Sequence, residues 1–103
     1  MKIAVTTNEK MVDSLVEERF GRCQFFAVLD TDTGDVAFIS NIGAEASSGA
    51  GVKAAQQLLD LDVGLLVTGQ VGPGALEILK EGEVRVESWT AGTVGEALKR
   101  FSS

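Results

Sequence analysis

An α/β fold with a five-stranded mixed sheet is predicted for this chain, and three features of its sequence predict it. Short, almost wholly apolar runs at 3–5 and 63–67 have the composition of strands covered on both faces, as in a parallel sheet flanked by helices. Two apolar segments, 25–29 and 36–41, flank the turn Asp32-Thr33-Gly34-Asp35, which is the pattern of an antiparallel hairpin. Three further stretches, from Gly51, from Pro73 and from Thr93, have helical spacing or helix-start chemistry. The resulting order is β-β-β-α-β-α-β-α.

Each element follows from its residues. The first strand covers 2–7, with an apolar centre and a polar end at Thr6, Thr7 and Asn8. Residues 8–23 follow no period, mixing Glu9, Lys10, Asp13, Glu17, Glu18, Arg19 and Arg22 with Met11, Val12, Leu15, Val16 and Phe20. They are expected to form a long loop with at most one helical turn, and a connection of that length tends to be functional or mobile. The second strand lies within Gln24–Thr31 and the third within Val36–Asn41. The small, polar segment Gly43–Gly51 opens into a helix from Gly51 to Leu61, in which Val52, Ala55, Leu58 and Leu59 share a face; Ser47 or Ser48 is the expected cap.

The stretch Val63–Leu79 organises the rest. Its strand should be central; the turn from Thr68 to Pro73 holds two glycines and the chain's only proline, and a helix starts near Pro73, where a missing N–H costs nothing. Gly82 supplies the stop. Val84–Trp89 alternates apolar with charged residues, as an edge strand does, and Thr93-Val94-Gly95-Glu96 has the spacing of a capping box ahead of Ala97, Leu98 and Phe101.

Topology follows from the connections. The first three strands meander antiparallel, and right-handed helical crossovers make the fourth and fifth parallel to the first. The expected sheet order is 3-2-1-4-5, with the second strand antiparallel to the first. The carboxyl ends of the first and fourth strands then lie side by side, where ligands bind in open α/β sheets.

Composition narrows the function. A length of 103 residues fits one domain, spanning 1–103. Fifteen acidic against nine basic residues, a net charge of −6, disfavour nucleic acid as a partner. No signal peptide and no run of membrane-spanning length is seen, so a cytoplasmic protein is expected. The single cysteine, Cys23, rules out an internal disulfide. The absence of histidine removes the commonest transition-metal ligand and the usual general base, excluding a histidine-dependent hydrolase. A metal site would have to use Cys23, carboxylates, backbone or the ligand's own atoms.

Two stretches carry candidate chemistry. The strand, glycine turn and helix start around Thr68–Pro73 place backbone N–H groups and a helix dipole where an anion could sit, although packing alone also explains such glycines. In Glu17-Glu18-Arg19-Phe20-Gly21-Arg22-Cys23, two arginines beside a thiol would favour thiolate and suit a polyanion. Equally, Cys23 is a small buried side chain at a strand start and the arginines are solvated or paired with Glu17 and Glu18. Both readings stay open on the residues alone.

The segments Arg19–Phe26, Gly49-Ala50-Gly51, Val67–Ala75 and Gly92–Leu98, in that order and spacing, resemble the dinitrogenase iron-molybdenum cofactor biosynthesis family, which includes NifX-like carriers, the C-terminal part of NifB-like proteins and the orange protein of sulfate reducers. The resemblance covers essentially the whole chain. It implies a ribonuclease H-like three-layer fold and a role in binding or transferring a metal-sulfur cluster, not in catalysis. The cargo it implies is an iron-sulfur or molybdenum-containing sulfide cluster, with cofactor-assembly or ATPase proteins as partners. Carried over, the family's phenylalanine-glycine-arginine motif falls on Phe20, Gly21 and Arg22, and its second glycine loop on Gly69, Gly72 and Pro73. Many relatives carry histidine immediately before that phenylalanine; here Arg19 stands there. Many also lack a cysteine after the arginine, so Cys23 either replaces a ligand or is incidental.

The expected cargo site is therefore Arg19, Phe20, Gly21, Arg22, Cys23, Thr68, Gly69, Gly72 and Gly74, with Cys23 as the one metal ligand. Amide groups from the two helix starts and the two guanidiniums would hold an anionic cluster by its sulfur surface. Two other classes compete. A protein-interaction module of the same fold that no longer binds a cluster is one. A nuclease, prompted by the fold, is the other; it needs converging carboxylates, and the first strand, Ile3-Ala4-Val5-Thr6-Thr7, has none.

Overall fold

In the computed structural model, which describes all 103 residues, the two strands with the most continuous apolar runs lie in the middle of the sheet. The strands are β1 (Lys2–Thr7), β2 (Phe25–Asp30), β3 (Val36–Ser40), β4 (Val63–Thr68) and β5 (Arg85–Ser88); the helices are α1 (Ala50–Asp60), α2 (Pro73–Glu81) and α3 (Val94–Phe101), with a 3-10 turn at Phe20–Arg22. The sheet order is β3-β2-β1-β4-β5. β1 runs antiparallel to β2, with Val5 opposite Ala27, and parallel to β4, with Val5 opposite Val67. β4 and β5 are parallel, and β2 and β3 form the expected antiparallel hairpin. Topology and order are those predicted.

Period-two alternation explains why β1 and β4 are apolar at consecutive positions, Ile3–Val5 and Leu65–Val67: each face of the sheet is covered. Ala4 and Leu66 join Phe26, Val28 and the helical residues Ala54, Ala55, Leu58, Ala75 and Leu79 in one core, so α1 and α2 cover one face. Ile3, Val5, Leu65 and Val67 join Val94, Ala97 and Leu98 in the other, beneath α3. The result is three layers. No helix is long and apolar enough to cross a membrane.

Some expectations are corrected. Val52 does not share the buried face of α1; it is 41% exposed, and the face is formed by Ala50, Ala54, Ala55 and Leu58. Neither Ser47 nor Ser48 caps that helix. Gly49 does, at a φ of 69°, where glycine carries no Cβ penalty. The capping box of α3 is present as read, with Thr93 and Glu96 exchanging hydrogen bonds. Residues 8–23 form a loop with one turn of 3-10 helix, yet main-chain bonds tie it down: Glu17 N–H donates to Thr6 O, Val94 N–H to Ser14 O and Gly95 N–H to Val12 O.

Candidate functional site

At the carboxyl ends of β1 and β4, two threonines join the strands to the long loop. Thr6 Oγ1 donates to Glu17 O at 2.7 Å and lies 2.8 Å from Thr68 Oγ1. The next residues extend this seam. Gln70 N–H donates to Glu18 O at 2.6 Å, and Phe20 N–H donates to Gln70 O at 3.1 Å. The loop before the 3-10 turn and the turn after β4 are thus zipped together backbone to backbone.

That zipper explains Gly69. A Cβ there would run into the Glu18 carbonyl oxygen and lie 2.8 Å from both its Cα and Cγ. Gly21 is required for the same reason at a second junction: a Cβ would lie 2.7 Å from Gly51 N and 2.9 Å from Gly51 Cα, in the first turn of α1. Gly74 in turn faces Val52, and Gly51 faces Ala75. The 3-10 turn, the start of α1 and the start of α2 therefore abut. Lys53 N–H donates to Gly49 O and Leu76 N–H to Gly72 O, so the amides of both first turns precede the ladders, at the end of the sheet where β1 and β4 finish.

Asn41, at the end of β3, locks the 3-10 turn onto this junction. Its Nδ2 donates to Gly21 O at 3.1 Å and Cys23 O at 2.8 Å, while its Oδ1 accepts from Gly43 N–H at 2.9 Å. The guanidinium of Arg22 spans the same gap on the outside, Nη1 donating to Ala44 O at 3.2 Å and Ala46 O at 2.8 Å.

Of the nine expected site residues, four are architectural. Phe20 is buried and packs on Phe26, with ring centroids 5.9 Å apart. Thr68 spends its hydroxyl on Thr6, and Gly69 lies under Glu18. Cys23 is wholly buried, its thiol donating to Phe20 O at 3.3 Å. Burial pushes that thiol up to about 12 from its ordinary 9.0, against the pull of Asn41 Nδ2, so the expected thiolate does not form at neutral pH. Cys23 was expected as the metal ligand; its buried thiol, bonded to Phe20 O, has the surroundings of the other reading, a small core side chain. No group of three or more Cys, Asp or Glu converges elsewhere.

The remaining five stand at the junction. Arg19 is exposed and its backbone bridges to Gln70. Arg22 is exposed but turns toward Ala44 and Ala46, not toward the Thr68–Gly74 turn where it was expected. Gly72 and Gly74 are open to solvent, and Gly21 faces the start of α1. Glu17 completes the charge pattern. Its carboxyl is held below the usual carboxylate range, chiefly by the Arg19 backbone N–H at 3.0 Å, with Asn8 Nδ2 adding a second bond at 2.9 Å. Asn41 and Gln70 were not expected at the site; an asparagine closing an apolar strand just before a glycine-bearing loop was the signal for the first.

Comparison with known proteins fits this architecture. The apo form of the orange protein from Desulfovibrio gigas superimposes with a TM-score of 0.91 at 38% identity, over 97% of this chain and 85% of that one. A NifB-like protein from Thermotoga gives 0.85 at 37% identity, over 98% and 86%. An uncharacterized protein of Methanocaldococcus jannaschii is 23% identical over 104 residues, covering 98% of this chain and 85% of its own length. The description "Dinitrogenase iron-molybdenum cofactor" matches residues 1–103, and the chain belongs to that family.

Proposed function

We propose that this protein is a non-catalytic carrier of an anionic metal-sulfur cluster, an iron-molybdenum cofactor precursor or a related molybdenum- or iron-sulfide species. The observation that carries the reading is the meeting of two helix starts with the Phe20-Gly21-Arg22 turn at the carboxyl end of the sheet. Amides ahead of both helical ladders favour negative charge, and the exposed Arg22 guanidinium, bonded to the Ala44 and Ala46 carbonyls in the loop that leads into α1, would have to leave them to reach an anion at the α2 start. With Cys23 buried and no histidine in the chain, the cluster is held by its sulfur atoms through N–H donors, and the metals keep their own sulfide ligands. Such holding is weak and exchangeable, as handing cargo to an assembly protein requires.

The test is anaerobic incubation of the purified protein with tetrathiomolybdate or a reconstituted iron-sulfur species, followed by gel filtration, visible absorption and elemental analysis. Retention is expected, and Arg22→Ala should weaken it about tenfold or more, since a hydrogen bond to a charged group contributes about 1.5–3 kcal/mol. A wild-type protein that retains neither species overturns the carrier reading. In that case the second reading stands, an interaction module of the same fold. The bonding of Arg22 to two backbone carbonyls is the observation that favours it.

A further inference from the structure

Three of the exposed large apolar side chains lie within five residues of one another: Met11 at 53%, Val12 at 45% and Leu15 at 71%. Looseness does not explain their exposure. Ser14 N–H donates to Met11 O, Thr7 Oγ1 donates to Leu15 O at 3.0 Å and accepts from Ser14 Oγ at 2.7 Å, and the starting residues of α3 donate to Val12 O and Ser14 O. The loop is held from both sides and presents these side chains outward.

Beside them runs a groove of about 330 Å³ lined by Thr7, Asn8, Glu9, Asp13, Ser14 and Leu15. Its two carboxylates have no cation of their own. The chain's ion pairs are Met1–Asp32 and Arg85–Glu87, and the one lysine of the loop, Lys10, is turned away with its Nζ 5.2 Å from the centre of the Phe25 ring. An apolar knob next to two unpaired carboxylates is complementary to a cationic side chain flanked by apolar ones. It opposes anionic surfaces such as acidic lipid or nucleic acid.

We propose that the Met11–Leu15 loop and the Glu9/Asp13 groove form a docking site for a protein partner, which offers an amphipathic segment with Lys or Arg beside leucine-like side chains. Leu15 and Met11 bury against the apolar side of the segment, and Glu9 and Asp13 receive its cation. None of the nine expected cargo-site residues lines this groove, so the proposal does not depend on the protein carrying a cluster.

The probe is a synthetic helical peptide with leucines at i, i+3, i+4 and i+7 and lysines elsewhere, titrated into the full-length 15N-labelled protein. Saturable shifts centred on residues 9–15 are expected. Leu15→Ser should weaken binding about tenfold, as removing most of one buried leucine's transfer free energy does, and Glu9→Gln with Asp13→Asn should weaken it by a similar factor. Leu15 and both carboxylates are exposed, so these variants fold, and their unperturbed amide spectra verify it. Shifts centred elsewhere overturn the proposal. So does equal binding of a glutamate-substituted peptide, or binding that the charge variants lose and Leu15→Ser leaves untouched. Concentration-dependent self-association that broadens residues 9–15 without peptide assigns the surface to a second copy and also overturns it.

Discussion

The Thr6–Thr68 pair yields a prediction whose sign depends on where two protons sit. A threonine hydroxyl has one proton to donate. Thr6 directs its proton to Glu17 O, so the 2.8 Å contact between the two hydroxyls must be Thr68 donating to Thr6. Both side chains are fully buried. Thr68→Val therefore removes one hydrogen bond and leaves the Thr6 proton on Glu17, a loss of about 1 kcal/mol. Thr6→Val removes two bonds, depriving Glu17 O of its side-chain donor and leaving the Thr68 hydroxyl buried without an acceptor. That costs about 2–3 kcal/mol. In the double variant the stranded hydroxyl is gone, so Thr68→Val, costly in the wild type, becomes neutral or stabilising in the Thr6→Val background. Urea denaturation of the four proteins, followed by circular dichroism, measures the cycle. If Thr68→Val costs as much as Thr6→Val, or if the two changes add, the assigned proton directions are wrong.

Four other outcomes follow from the geometry. Gly69→Ala should cost about 2 kcal/mol or more by forcing the Glu18–Gln70 zipper apart, whereas Gly72→Ala, which meets nothing within 4 Å, should cost less than half as much; denaturant midpoints compare them. For Cys23, the folded thiol at about 12 lies above its ordinary 9.0, so the unfolded chain loses its proton first. The stability contributed is complete below pH 9 and declines at up to about 1.4 kcal/mol per pH unit between 9 and about 12, an alkaline loss that Cys23→Ala should abolish. The Glu96 carboxyl is held below its ordinary 4.5 by the Thr93 N–H and hydroxyl. Its contribution is present above that value and lost as pH falls through the folded one, so the stability gap between wild type and Glu96→Gln should close in acid. Thr93→Ala, which deletes the cap, should cost about 1 kcal/mol at neutral pH.

Most of the fold was legible because one physical rule governs it. A strand covered on both faces must be apolar at consecutive positions, and Ile3-Ala4-Val5 and Val63–Val67 meet that condition; handedness and connection length then leave a single sheet order. The capping box at Thr93 was legible because its reciprocal bonds are local. The face of α1 was misjudged because hydrophobicity is not burial. Val52 sits in the first turn, where the neighbour across the gap is Gly74, and its side chain stays exposed beside the α2 start. Ala54, whose apolar surface is small, lies beneath the sheet-facing stripe and is wholly buried. The cap fell on Gly49 because the chain must turn through a left-handed conformation to bring the 43–48 loop back over Asn41, and serine takes up that conformation at a cost that glycine avoids.

The site was legible as a set of positions but not as a set of directions. Arg22 and Cys23 are adjacent in sequence, which suggests a cation activating a thiol. Arg22, however, ends the 3-10 turn while Cys23 is already extended at φ −64° and ψ 150°, and this change of backbone conformation between them sends their side chains in different directions. Arg22 faces outward to the Ala44 and Ala46 carbonyls while Cys23 points into the core beneath α1. Desolvation of the thiolate then outweighs any attraction from a guanidinium on the far side of the backbone, and the thiol moves up in pKa instead of down. The other residues of the motif divide as well, with Phe20 buried, Arg19 exposed and Gly21 against the start of α1. What decides it is a contact between segments about thirty residues apart, Gly21 against the backbone of Gly51, which is possible only because Gly21 has no Cβ in the way.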